Sequence, residues 1–178
     1  MQRLPPVLIS AGPLSGLRQS TASSQLTEEL GISLKSFAIG VESPSWLDAD
    51  GSKVLLQLCG DAAAVGAVGS FSCLEMLALR QQPVAILVPA REDGVIPGTA
   101  PSYTALCKEL RVRLIGLVQL GGPWKPDERR RDGLPWCGWI PEVSPISDIG
   151  NQEALINLAD VMSQRLALIR ATLAKAVL

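Results

Sequence analysis

Not one of the 178 residues is histidine. That absence excludes Ser-His-Asp triads, Cys-His pairs, histidine-ligated zinc and imidazole general bases. Any chemistry falls to lysine, arginine, the acids, hydroxyls, thiols or the backbone. Charge is sparse too: charged side chains make up 19% of the chain and the formal net charge is −1. Without a basic excess, nucleic acid and anionic membrane surfaces lack the electrostatic handle they need. No apolar run approaches the roughly 18 residues of a membrane-spanning helix. The opening residues lack the basic-then-apolar plan of a secretory signal, so a cytoplasmic protein is expected. The four cysteines, Cys59, Cys73, Cys107 and Cys137, lie far apart in apolar stretches with no C-x-x-C spacing. They read as buried free thiols in a reducing compartment. No internal repeat or low-complexity segment is visible.

What the chain has in quantity is apolar material, 47% of its residues. That exceeds the need of a soluble domain of this length and implies a well-filled core or an additional buried interface. One domain spanning the whole chain is expected. Val-, Ile- and Leu-rich runs predict strands at Pro6–Ser10, Ser36–Val41, Lys53–Leu58, Pro83–Val88 and Val112–Val118. Most do not alternate with polar residues, a pattern that suits strands buried on both faces of a parallel sheet. Between them the sequence predicts helices over Arg18–Leu30, Phe71–Arg80 and Pro101–Leu110, the first closed by Gly31 as C-cap. The alternation of strand and helix predicts a doubly wound, mostly parallel α/β sheet flanked by helices.

Two stretches break that rhythm. Gly121–Trp139, GGPWKPDERRRDGLPWCGW, is rich in turn formers, and its Asp127–Asp132 segment sets three arginines against three acids. A solvated, salt-bridged loop is expected there. Over Asn151–Leu178, by contrast, Leu155, Leu158, Met162, Leu166, Ile169 and Leu173 recur at helical spacing. A terminal amphipathic helix of order 40 Å follows, at about 1.5 Å per residue, with Asp148 or Asn151 available as N-cap. Ile156, Val161, Leu168 and Val177 broaden its apolar face, which suits packing on the sheet or a homodimer seam. Trp124, Trp136 and Trp139 in or beside the polar loop either cap the core or serve as binding residues.

In an open α/β sheet, ligands bind beyond the C-terminal ends of the strands. The turn after the first strand reads Ser10-Ala11-Gly12-Pro13-Leu14-Ser15-Gly16-Leu17-Arg18-Gln19-Ser20-Thr21. Glycines there let backbone N–H groups close around an anion, and the following helix N-terminus adds partial positive charge. The Walker pattern, however, places lysine directly after the second glycine and then Ser or Thr for Mg²⁺. This chain has Leu17 and Arg18 instead. Candidate phosphate contacts are therefore Gly12, Ser15, Gly16, Arg18, Ser20 and Thr21. Asp61, beyond the third strand in VLLQLCGD, is the only acid placed to meet a metal. The competing reading is a Gly-rich strand-to-helix turn with no ligand.

Taken together, VLISAGPLSGLRQSTASS, KSFAIGVESP, VLLQLCGDAA, QQPVAILVPAREDGVIPGT, RVRLIGLVQLGG and GLPWCGWIPE resemble, in order, dethiobiotin synthetase, a P-loop NTPase family. The resemblance implies a P-loop NTPase-like fold and a homodimer. It also implies a reaction in which ATP and Mg²⁺ activate a carbamate as a mixed carbamic-phosphoric anhydride that closes a ureido ring. The residues that such chemistry uses are replaced. The loop lysine falls on Leu17, the second-strand lysine near Gly40, the third-strand acid near Leu58 or Cys59, and the adenine-recognising Asn near Gln119. The Glu42–Ser52 connection is short where the family inserts substrate-binding elements. Replacing a charged group that steadies the phosphate costs on the order of 2–4 kcal/mol of transition-state stabilisation each time.

The resemblance thus implies a degenerate Walker A loop and a pseudoenzyme: a non-enzymatic binding, assembly or regulatory factor with no cofactor. The alternative is an active ATP- and Mg²⁺-dependent ligase in which Arg18 and Asp61 serve. A second resemblance is to the nucleotide-sugar domain of lipid-II-type glycosyltransferases, carried by AVGSFSCLEMLALRQQPVAILVPA, with Glu75 as the ribose carboxylate. In that reading VLISAGPLSG is the first strand and glycine turn.

Overall fold

The computed structural model describes residues 4–40, 53–65, 71–142 and 149–175. Its strands are β1 (Val7–Ser10), β2 (Ser33–Ala38), β3 (Val54–Cys59), β4 (Pro83–Pro89), β5 (Arg113–Leu120) and β6 (Trp136–Ile140). They form one six-stranded sheet in the order β2-β3-β1-β4-β5-β6, parallel throughout. The helices are α1 (Gly16–Leu30), α2 (Cys73–Leu79), α3 (Thr99–Glu109), α4 (Pro126–Arg131) and α5 (Ile149–Lys175). None is long and apolar enough to cross a membrane, among the described residues.

Both faces of the sheet are covered, so its central strands are mostly apolar on both sides, with Ser10, Gln57 and Gln119 as buried polar exceptions. Val84, Ile86 and Val88 point into one core with Leu74 and Leu77 of α2 and Ala100 and Cys107 of α3. Their neighbours Ala85 and Leu87 point into the other, with Leu26 of α1 and Leu155, Leu158 and Met162 of α5. All four cysteines are free, and Cys73, Cys107 and Cys137 are buried.

Gly31 closes α1 at φ 63°, ψ 35°, as its C-cap position requires. The next strand, β2, starts three residues earlier than the sequence pattern suggests and is mostly exposed rather than buried on both faces. It is the edge strand, so Ser33, Lys35 and Ser36 meet solvent and only Leu34 and Phe37 are drawn half inward. The Glu42–Ser52 connection lies outside the described residues.

The stretch expected to be a solvated loop instead contains α4 and β6. Pro126 opens α4, with Asp127 and Glu128 in its first turn and Arg129, Arg130 and Arg131 in its last, the distribution that the helix dipole favours. Trp136 is buried and meets Trp124 edge-on at 6.2 Å. Its indole N–H donates to Asp132 at 3.0 Å, and the Arg129 guanidinium lies 5.2 Å from its ring. These two tryptophans belong to the core; Trp139 on β6 is half-buried.

β5 and β6 shift register at Leu117/Val118, and α5 fills the irregularity. Arg165 donates from Nη1 to the Ile115 and Pro135 carbonyls at 3.1 and 2.9 Å and from Nη2 to Trp136 O at 2.8 Å. Gly116, at φ +152°, makes room: a Cβ there would collide with Pro135 O and Arg165. α5 begins at Ile149, so Asn151 is a buried residue inside the helix and not its cap. Asp148 and Val177 lie outside the described residues. Leu155, Leu158 and Met162 are buried, Leu166 and Ile169 are half-buried against the core, and Ile156 and Leu168 are exposed.

Candidate functional site

The winding direction of the sheet reverses at β1, which lies between β3 and β4. Such a switch point opens a crevice beyond the strand ends. A cleft of about 720 Å³ occupies it here. Its walls are Ser10 at the end of β1, the turn Gly12–Ser15, Gln19 on α1, Gly60 and Asp61 after β3, and Thr99 and Tyr103 on α3.

Local chemistry sets each wall. Gly12 takes φ +106°, which a side chain resists, and lets the turn leave β1 sharply. Thr99 secures that turn from α3 by donating to Ala11 O at 3.0 Å. Ser15 is the N-cap of α1 and its hydroxyl accepts from Arg18 N at 3.4 Å. One turn on, buried Gln19 donates from Nε2 to Leu58 O at 3.0 Å and ties α1 to the end of β3. Ser23 and Thr27 then return their hydroxyls to carbonyls of α1 itself, at 2.8 and 2.9 Å, which lets a polar stripe pack on the sheet.

Two kinds of group are left open, one beside the cleft and one on its wall. The N–H groups of Gly16 and Leu17 have no acceptor among the described residues, as expected for the first turn of a helix. Ser10, only 4% exposed, has no hydrogen-bond partner for its hydroxyl. A buried hydroxyl without a protein partner is costly unless a water or a polar ligand atom meets it.

Charge is handled differently. Arg18 grips Glu142, just beyond β6, through both carboxylate oxygens, Nε to Oε1 at 2.7 Å and Nη2 to Oε2 at 2.6 Å. This hydrogen-bonded pairing with Glu142 holds the guanidinium pKa above its ordinary value. Asp61 accepts from the Tyr103 hydroxyl and from Ala63 N at 2.9 Å. Burial, and next the hydrogen bond to Asp61, push the Tyr103 hydroxyl pKa well up. Among the described residues, no lysine or arginine lines the cleft.

Of the phosphate contacts read from sequence, the structure brings Gly12 and Ser15 to the cleft and leaves Gly16, Arg18, Ser20 and Thr21 off its walls. Ser20 and Thr21 are exposed on α1. Asp61 is a wall residue, but its carboxylate is engaged by Tyr103 and Ala63, and no group of three or more Cys, Asp or Glu among the described residues could hold a metal ion. These residues do not fit a Mg²⁺–triphosphate: the lysine position is Leu17, 79% exposed, and the nearby arginine is committed elsewhere. Glu75, the sugar-binding candidate, closes the capping box of α2, accepting from Ser72 N at 2.7 Å and Ser72 Oγ at 2.8 Å. Those bonds hold its pKa low.

Gln19, Thr99, Tyr103 and Glu142 were not legible as site residues. Gln19 alone carried a signal, a polar residue inside the buried i, i+3, i+7 stripe of Ala22 and Leu26.

Fold and site together define a doubly wound parallel α/β protein with a switch-point cleft on whose walls no cationic side chain stands among the described residues. No family model matches the chain. No curated protein matches it either. Among solved structures, oxidised flavodoxin 2 from Bacillus cereus is similar, at 12% identity over 90% of this chain and 99% of that one, with a TM-score of 0.39.

Proposed function

We propose that this chain is a catalytically degenerate relative of dethiobiotin synthetase that works in the cytoplasm as a non-enzymatic binding or assembly factor. The observation that carries this reading is the cleft itself. It keeps the Ser10 hydroxyl on its wall, with the open first-turn amides of α1 beside it, while Arg18 is paired with Glu142 and Asp61 with Tyr103. Phosphoryl transfer needs mobile charge at the transferring group. Among the described residues no lysine or arginine stands on the cleft walls, which supports binding without turnover.

The test is phosphate release in the presence of diaminopelargonate, bicarbonate, ATP and Mg²⁺. No turnover above the buffer blank is expected, and sustained turnover lost in Arg18→Ala overturns the reading. Millimolar ATP–Mg²⁺ raises the melting temperature little, since a ligand near its dissociation constant contributes only about 0.4 kcal/mol. Exposed Ile149, Ile156 and Leu168 on α5 support assembly as a homodimer. Light scattering reporting 18.9 kDa, the mass of one chain, would refute that part.

A further inference from the structure

Arg18 and Glu142 lie 124 residues apart in sequence, yet they form a two-pronged ion pair. Both partners remain partly exposed, with 43% and 32% of their side-chain surface open. An exposed pair of this kind is weak and exchangeable in water, whereas the fork that it uses is the geometry by which guanidinium takes any oxyanion. Arg18 is rooted at the cleft: its backbone N–H caps onto Ser15, a wall residue, and it follows directly on the open amides of Gly16 and Leu17. Its side chain is turned to Glu142. Gly121, at φ +68°, provides the seat, because a Cβ there would collide with the Glu142 carboxylate.

From this arrangement we infer that Glu142 is a resident carboxylate that holds Arg18 away from the cleft, and that a polyanionic oxyanion binds by taking the guanidinium from it. The pair is an autoinhibitory latch on anion binding. This rests on the reading of the cleft as a non-catalytic binding site and adds its regulation: closed, the charged side chain on the described walls is the Asp61 carboxylate, engaged by Tyr103 and Ala63; open, the cleft gains a bidentate cation that offsets it. Phosphate and diphosphate ligands share the chemistry required, and a doubly charged group competes better with one carboxylate than a singly charged one.

The experiment is titration of the full chain with inorganic phosphate and with pyrophosphate, followed by calorimetry and by the Nε–H resonance of Arg18. Glu142→Gln keeps the size of the side chain and removes its charge. Pyrophosphate binding at least tenfold tighter in Glu142→Gln, with movement of the Arg18 resonance and return to the wild-type level in Glu142→Gln/Arg18→Ala, is the expected result. Phosphate gains less than pyrophosphate. Circular dichroism confirms that each variant is folded, and Glu142→Asp, which keeps the charge but shortens the reach, serves if Glu142→Gln does not fold and gives a smaller gain. Unchanged affinity in a folded variant overturns the latch, as does a gain that leaves the Arg18 resonance still or survives loss of Arg18. Failure of the latch is distinct from failure of the pseudoenzyme reading, which falls to sustained ATP turnover.

Discussion

The turn after β1 and the stretch between β5 and β6 are both written in glycine and proline, and each carries arginine, yet they fold to opposite ends. In the second, Arg129 is buried over Trp136, its side chain 7% exposed, and the segment condenses into a helix and a strand. In the first, Arg18 stays exposed, the backbone keeps open amides, and the buried Ser10 hydroxyl has no partner. The difference is aromatic: Trp124 and Trp136 give the second segment a surface to fold against, and Ala11–Ser15 has none. Burial, more than residue type, separates an arginine that holds structure from one that is available to a ligand.

Trp136→Ala breaks the comparison most severely. It removes the edge-on packing with Trp124, the platform for Arg129 and the donor to Asp132, and is expected to cost about 3–4 kcal/mol in urea unfolding. A cost under about 1 kcal/mol would return the segment to the status of a loop.

A middle-sized effect is expected at alkaline pH. Burial pushes the thiols of Cys107 on α3 and Cys137 on β6 from an ordinary 9.0 up to about 11, with Arg165 partly opposing the shift at Cys137. The unfolded chain loses these protons near the lower value, the folded chain near the higher. Stability is therefore full below pH 9.0 and falls between there and about 11. Each thiol contributes on the order of 2 kcal/mol to that fall. Unfolding curves of Cys137→Ala across this range should show the fall reduced by its share; an identical fall would remove Cys137 as a source.

The smallest effect belongs to the first region. Ser10→Ala deletes a buried hydroxyl without a partner and should raise stability by about 1 kcal/mol. A loss above about 1 kcal/mol would mean that the hydroxyl is a structural donor and not an open ligand contact.

Much of the fold was legible because β1, β3, β4 and β5 are buried runs, and such runs announce themselves by composition. β2 was shifted because an edge strand needs apolar residues on one side only, and Ser33 and Lys35 look like loop. α4 has six residues and no aliphatic one, and β6 is a five-residue strand behind Gly133 and Pro135, so neither shows a period. At the site, the turn after β1 was visible from its glycines. The partners that define its chemistry were not, because Thr99, Tyr103 and Glu142 arrive through sheet order alone.

Arg165 bears on the last strand of the sheet. Its three carbonyl acceptors come from β5, from the approach to β6 and from β6 itself, and they converge only when the two strands are paired. On a sheet that stopped at β5 the long final helix would keep Arg165 on Ile115 O and Arg170 on Leu4 O, and would lose two of the three carbonyls that hold Arg165. The full Arg165 seat thus exists only beside a correctly registered β6, so a register slip at the sheet edge would be felt one layer away, in the helix that covers it.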